Sequence, residues 1–82
     1  MLKRQMAAVQ NVYVPVKRRQ TLDPKKVEAL AESILAKGLD APILMRADDR
    51  RFVLVEGLHR LEACKALGET TVSAYLVEAR KH

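Results

Sequence analysis

Cysteine occurs once in these 82 residues, tryptophan never, phenylalanine once and tyrosine twice. A lone Cys64 excludes an internal disulfide and any metal site built on several thiolates, and it fits a reducing compartment, so the cytoplasm is the expected location and no metal ligand set is expected. With hydrophobic residues at 49% and aromatics at 4%, the core must be aliphatic. No apolar run approaches the roughly 20 residues that a membrane span requires. The first ten residues, MLKRQMAAVQ, have basic side chains but lack the apolar centre of a secretory signal. With three glycines and three prolines, each one reads as local punctuation, and neither an internal repeat nor a low-complexity linker is present.

What is present in excess is positive charge. Fifteen Lys and Arg against ten Asp and Glu leave a net charge of +5, which favours phosphate-bearing partners without ranking nucleotide above nucleic acid. A chain of this size makes one domain with a modest core.

Residues 1–11 read as a flexible basic arm. Residues 11–16 (NVYVPV) alternate Val12, Val14 and Val16 on one side, as a strand does, and Pro15 places that strand at a sheet edge or at its own end. Residues 17–21 form a basic connector in which Arg18 and Arg19 are additional candidate anion contacts. Asp23 is a good N-cap and Pro24 suits the first helical position. Val27, Leu30, Ala31, Ile34 and Leu35 then fall on one stripe until Lys37 and Gly38 end the helix. After a connector at 39–41, strands over 43–47 and 51–55 flank the turn Asp48-Asp49-Arg50 and make a hairpin. The run 52–55 (FVLV) suits a strand buried on both faces. Gly57 breaks it, and Leu61, Cys64 and Leu67 mark a second helix that Gly68 stops. A last strand covers 72–77, and 78–82 is a basic tail. The domain proper is expected over 12–77, as a compact α+β fold with a small mixed sheet and two principal helices; strand order is not legible.

Both helices begin with cations. His59 and Arg60 lie in the first turn of the second helix, and Lys25 and Lys26 in the first turn of the first. There the dipole and the unpaired N–H groups are already positive. Each lysine alone is explained by solvation or by pairing with Asp23 or Glu28, but the coincidence of two such starts suggests a shared anion. After a glycine turn, backbone donors, an imidazole and a guanidinium make a phosphate cradle. Glu56, beside Gly57, is a candidate base or metal ligand, against the plainer reading of a solvated strand-end carboxylate. Cys64, on the apolar stripe, reads as a small buried hydrophobe.

Taken together, residues 22–34 (LDPKKVEALAESI), 38–44 (GLDAPIL) and 52–68 (FVLVEGLHRLEACKALG) resemble the ParB N-terminal domain/sulfiredoxin superfamily. The resemblance extends from about residue 12 to about residue 77. It implies that the turn binds nucleotide phosphates: ParB proteins hold CTP there, and sulfiredoxins hold ATP in a Gly-Cys-His-Arg version of the turn. The implied phosphate contacts are Gly57, His59, Arg60, Lys26 and Ser33. The sulfiredoxin cysteine falls on Leu58, so its reductase chemistry is not expected. ParB-type domains carry Gly-Glu-Arg-Arg, where this chain has Leu58 and His59 in the second and third places. The helix-turn-helix and dimerisation domains of ParB have no counterpart in these 82 residues. The leading expectation is a stand-alone module that binds a nucleoside triphosphate, ATP or CTP with Mg2+, in a regulatory or partition-related role. Two others stand beside it: a DNA-binding accessory without sequence preference or a nuclease, and a phosphotransfer enzyme resembling small-molecule kinases, with Glu56 as its candidate catalytic residue. The implied partners are nucleotide, DNA or another protein, and no membrane.

Overall fold

The computed structural model describes residues 3–38 and 41–77. Five strands form one mixed sheet in the order β1-β5-β3-β4-β2: β1 Lys3–Ala8, β2 Val12–Tyr13, β3 Ile43–Asp48, β4 Arg51–Glu56 and β5 Thr71–Val77. Pairs β1/β5 and β3/β4 are antiparallel, whereas β2/β4 and β3/β5 are parallel. The helices are the single turn α1 Val16–Arg19, then α2 Pro24–Lys37 and α3 Leu58–Ala66, with a 3-10 turn at Val9–Asn11. This is the α+β architecture expected, with two principal helices.

The core follows from the period of two in the strands. Ile43 and Met45 of β3 and Val72 and Ala74 of β5 point to one side, where they meet Leu58, Leu61 and Cys64 of α3. In β4 the adjacent residues Val53 and Leu54 are 3% and 2% exposed, so the middle of this strand is covered on both faces as its unbroken apolar run implies. A two-residue turn at Asp49 and Arg50 closes the hairpin, with Asp49 at φ 58°, a conformation Asp tolerates better than most residues. A register shift at Leu44/Met45 pairs Leu44 with Glu56 but Met45 with Leu54, an irregularity just ahead of the glycine turn.

Helix α2 begins and ends as its sequence dictates. The Asp23 carboxylate accepts the Lys25 N–H at 3.0 Å, Pro24 occupies the first turn, and the Gly38 N–H closes on the Ile34 carbonyl at 2.7 Å. It packs on α3, and none of its residues is fully buried. Val27, Leu30, Ala31 and Ile34 are half-covered, while Leu35 is 74% exposed.

Three expectations are corrected. Lys3–Ala8 is no loose arm: it is an edge strand paired with β5 from Lys3↔Leu76 to Ala8↔Thr71, with Ala7 buried opposite Val72 and Arg4 Nε donating to Ser73 Oγ at 2.9 Å. The strand at 11–16 shrinks to two residues, because Pro15 turns the chain and caps α1. It does lie at the sheet edge, on the side opposite β1. The connector at 17–21 begins as that helical turn, the Arg18 and Arg19 N–H groups both donating to the Pro15 carbonyl. The tail at 78–82 and most of the connector at 39–41 lie outside the described residues.

Candidate functional site

The site is built on the step from β4 into α3. Gly57 sits at φ 107° and ψ 32°, and a Cβ there would stand 2.8 Å from Ile43 Cγ2 and 3.2 Å from the Ile43 Cα. Both the backbone angle and the closeness of β3 therefore require glycine. No side chain caps α3, and the first ladder bond is the Leu61 N–H to the Gly57 carbonyl at 2.9 Å. By helix geometry, the N–H groups before Leu61 have no partner within the helix.

Arg60 lies in this first turn. Its Nε is buried and, among the described residues, has no hydrogen-bond partner. A buried guanidinium N–H without an acceptor costs about 1–3 kcal/mol, so the turn holds a donor in need of an acceptor. His59 does something the sequence did not reveal: its Nε2 accepts the backbone N–H of Asp23 at 3.0 Å. That bond assigns the remaining proton to Nδ1. It also ties the start of α3 to the N-cap of α2, and so brings Lys25 and Lys26 to the same end of the helix pair as Arg60. Lys26 is exposed, and Ser33, also exposed, lies two helical turns further along the same side of α2. Glu56 is exposed at the end of β4. Among the described residues no group of three His, Cys, Asp or Glu could hold a metal ion.

Arg18 is exposed, while Arg19 donates its Nε to the Val14 carbonyl at 3.0 Å and its guanidinium lies over the Tyr13 ring. Arg51 lies over the same ring at 4.0 Å. Neither Tyr13 nor Arg51 stood out in the sequence; their meeting depends on β2 lying beside β4, with Tyr13 opposite Val53. Cys64 is buried among the aliphatic core residues, and burial pushes its thiol up from the ordinary value, with Glu69 adding to the shift and Arg60 opposing it. A thiol raised in this way is a poor nucleophile. Leu58, the first residue of α3, is also buried.

The fold has relatives among known proteins. The family model of the ParB N-terminal domain matches residues 3–82. A probable chromosome-partitioning protein ParB from Campylobacter jejuni is 34% identical over 64 residues, which cover 78% of this chain and 23% of that relative. Among solved structures, sulfiredoxin from Arabidopsis thaliana superposes with a TM-score of 0.83 at 27% identity, covering 94% of this chain and 86% of the other. The C-terminally truncated chromosome-partitioning protein ParB from Caulobacter crescentus, complexed with CTP-gamma-S, gives 0.81 at 26% identity, over 96% of this chain and 46% of that one. The chain thus spans about a quarter of the ParB relative it matches in sequence. No helix among the described residues is long and apolar enough to cross a membrane. With the family model running from β1 through β5, this chain belongs to the ParB N-terminal domain family.

Proposed function

We propose that the Gly57 turn holds the phosphates of a nucleoside triphosphate, ATP or CTP, and that the domain serves as a cytoplasmic regulatory or partition-related module. The observation that carries this reading is the buried Arg60 Nε, which has no acceptor among the described residues and stands beside an uncapped helix start. A phosphate oxygen supplies that acceptor, and the planar guanidinium can grip two oxygens at once. The N–H groups of the first turn of α3 add oriented donors. His59, fixed by Asp23, keeps Nδ1–H for the same anion; Lys26 adds a mobile charge and Ser33 a hydroxyl. Any Mg2+ would arrive with the phosphates, which suits an ion that keeps most of its ligands as water and phosphate oxygen. The ParB structure that carries CTP-gamma-S supports the reading by its likeness across nearly the whole chain.

Calorimetric titration with ATP, CTP and GTP in the presence of Mg2+ tests it. At least one nucleotide is expected to bind, and Arg60→Ala should weaken that binding by about 2–5 kcal/mol, since a charge-assisted contact is lost while its partner stays in place. Absence of heat with all three nucleotides would remove the reading.

A further inference from the structure

A concave site lies on the face of α3 away from Arg60. Leu58, Glu62 and Lys65 follow the spacing i, i+4 and i+7, so they share one face of this helix, whereas Arg60 is about 200° around the axis from Leu58. That face, together with Tyr13, Arg19 and Arg51, borders a cavity of about 600 Å³. Two guanidinium groups lie over the Tyr13 ring, Arg51 at 4.0 Å and Arg19 at 5.8 Å from its centroid. The ring faces attract both cations, but nothing in that attraction cancels their mutual repulsion. The available carboxylates do not settle it. Asp48 reaches Arg51 only at 3.7 Å in an exposed contact, and Glu62 is engaged by Lys65 at 3.2 Å. Arg19 uses Nε on the Val14 carbonyl, and among the described residues its terminal nitrogens have no hydrogen-bond partner. Three lining cations, against Glu62 in the lining and Asp48 at its rim, around an aromatic ring with buried Leu58 as apolar floor, favour an oxyanion carried on a small apolar or aromatic body.

We infer that this cavity is a second ligand site, separate from the Arg60 turn, which binds a small organic phosphate or carboxylate through Arg51 and Arg19 with its body against Tyr13 and Leu58. The site does not depend on nucleotide binding at the Gly57 turn, and the two readings fail separately.

The test is a titration of the isotope-labelled chain, followed by nuclear magnetic resonance, with three probes: phenyl phosphate, phenylacetate and inorganic phosphate. Phenyl phosphate or phenylacetate should shift the Tyr13 amide and the Arg51 side-chain Nε–H saturably, and whichever binds tighter identifies the head group. Inorganic phosphate, lacking the body, should bind more weakly. Arg51→Gln, at a side chain already 51% exposed, should weaken the tighter probe about 10- to 100-fold without disturbing the fold. Arg60→Ala should leave its affinity within about twofold, as expected for a mutation with no shared partner. Shifts that never saturate with any probe would overturn the proposal. So would unchanged affinity in Arg51→Gln, or loss of binding in Arg60→Ala, which would put the anion at the Gly57 turn.

Discussion

Gly57 is the residue on which the site turns, because its φ of 107° and the nearby Ile43 forbid a side chain for separate reasons. Ile43 is wholly buried in the middle of the sheet, so it cannot move aside cheaply. Gly57→Ala is therefore expected to cost about 2–4 kcal/mol, strain and overpacking together, read as a lower urea midpoint with an unchanged slope. Cys64 makes the opposite kind of statement, since its role is packing. Its folded pKa is raised above the unfolded value, mainly by burial, so the neutral thiol contributes stability that is complete below the ordinary value of 9.0 and is lost as pH rises beyond it. Stability should decline above that pH in the native chain, and the part due to the thiol should vanish in Cys64→Ser. That variant is expected to lose about 1–3 kcal/mol at neutral pH, because a hydroxyl is buried there, while nucleotide affinity stays unchanged. Rapid alkylation of the folded protein at neutral pH would contradict this assignment.

At the scale of elements, α2 and α3 act as a pair joined at their N-terminal ends. The joint is the His59 to Asp23 bond, at 3.0 Å. His59→Ala should therefore lower stability by about 1 kcal/mol, and it should also weaken nucleotide binding with Arg60 intact, because the two cationic helix starts are no longer held in register. If stability falls and nucleotide affinity does not, the imidazole is only a structural tie. The periodic elements were the legible ones: Asp23, Pro24 and Gly38 mark the two ends of α2, and an unbroken apolar run marks β4. β1 was not legible. Lys3 and Arg4 dominate its first half, and among residues 4–8 only Ala7 is buried, so no alternation shows in the sequence. Its identity as a strand comes from hydrogen bonds to β5, some 63 to 73 residues away in the chain.

The molecule as a whole carries +5; at the start of α2 Lys25 and Lys26 are exposed, whereas His59 and Arg60 at the start of α3 are half-buried. Any binding to DNA is expected to be weak, tolerant of sequence and steeply salt-dependent, because the contacts on offer are Lys and Arg to phosphate. Binding to duplexes of unrelated sequence at two salt concentrations measures this; a discrete protected site that survives moderate salt would contradict it.

The α+β class, the two principal helices, the hairpin, and the cationic first turns, one after Asp23-Pro24 and one after Gly57, are written in the order of the amino acids. These are local properties, fixed by propensity, by side-chain period and by charge against the helix dipole. Long-range packing set the strand order β1-β5-β3-β4-β2, the capture of Lys3–Ala8 as an edge strand, and the meeting of His59 with Asp23 and of Arg51 with Tyr13. Each of those rests on pairing between segments distant in the chain, whose closure entropy must be met by burial shared across the entire core, and no window of sequence contains both partners.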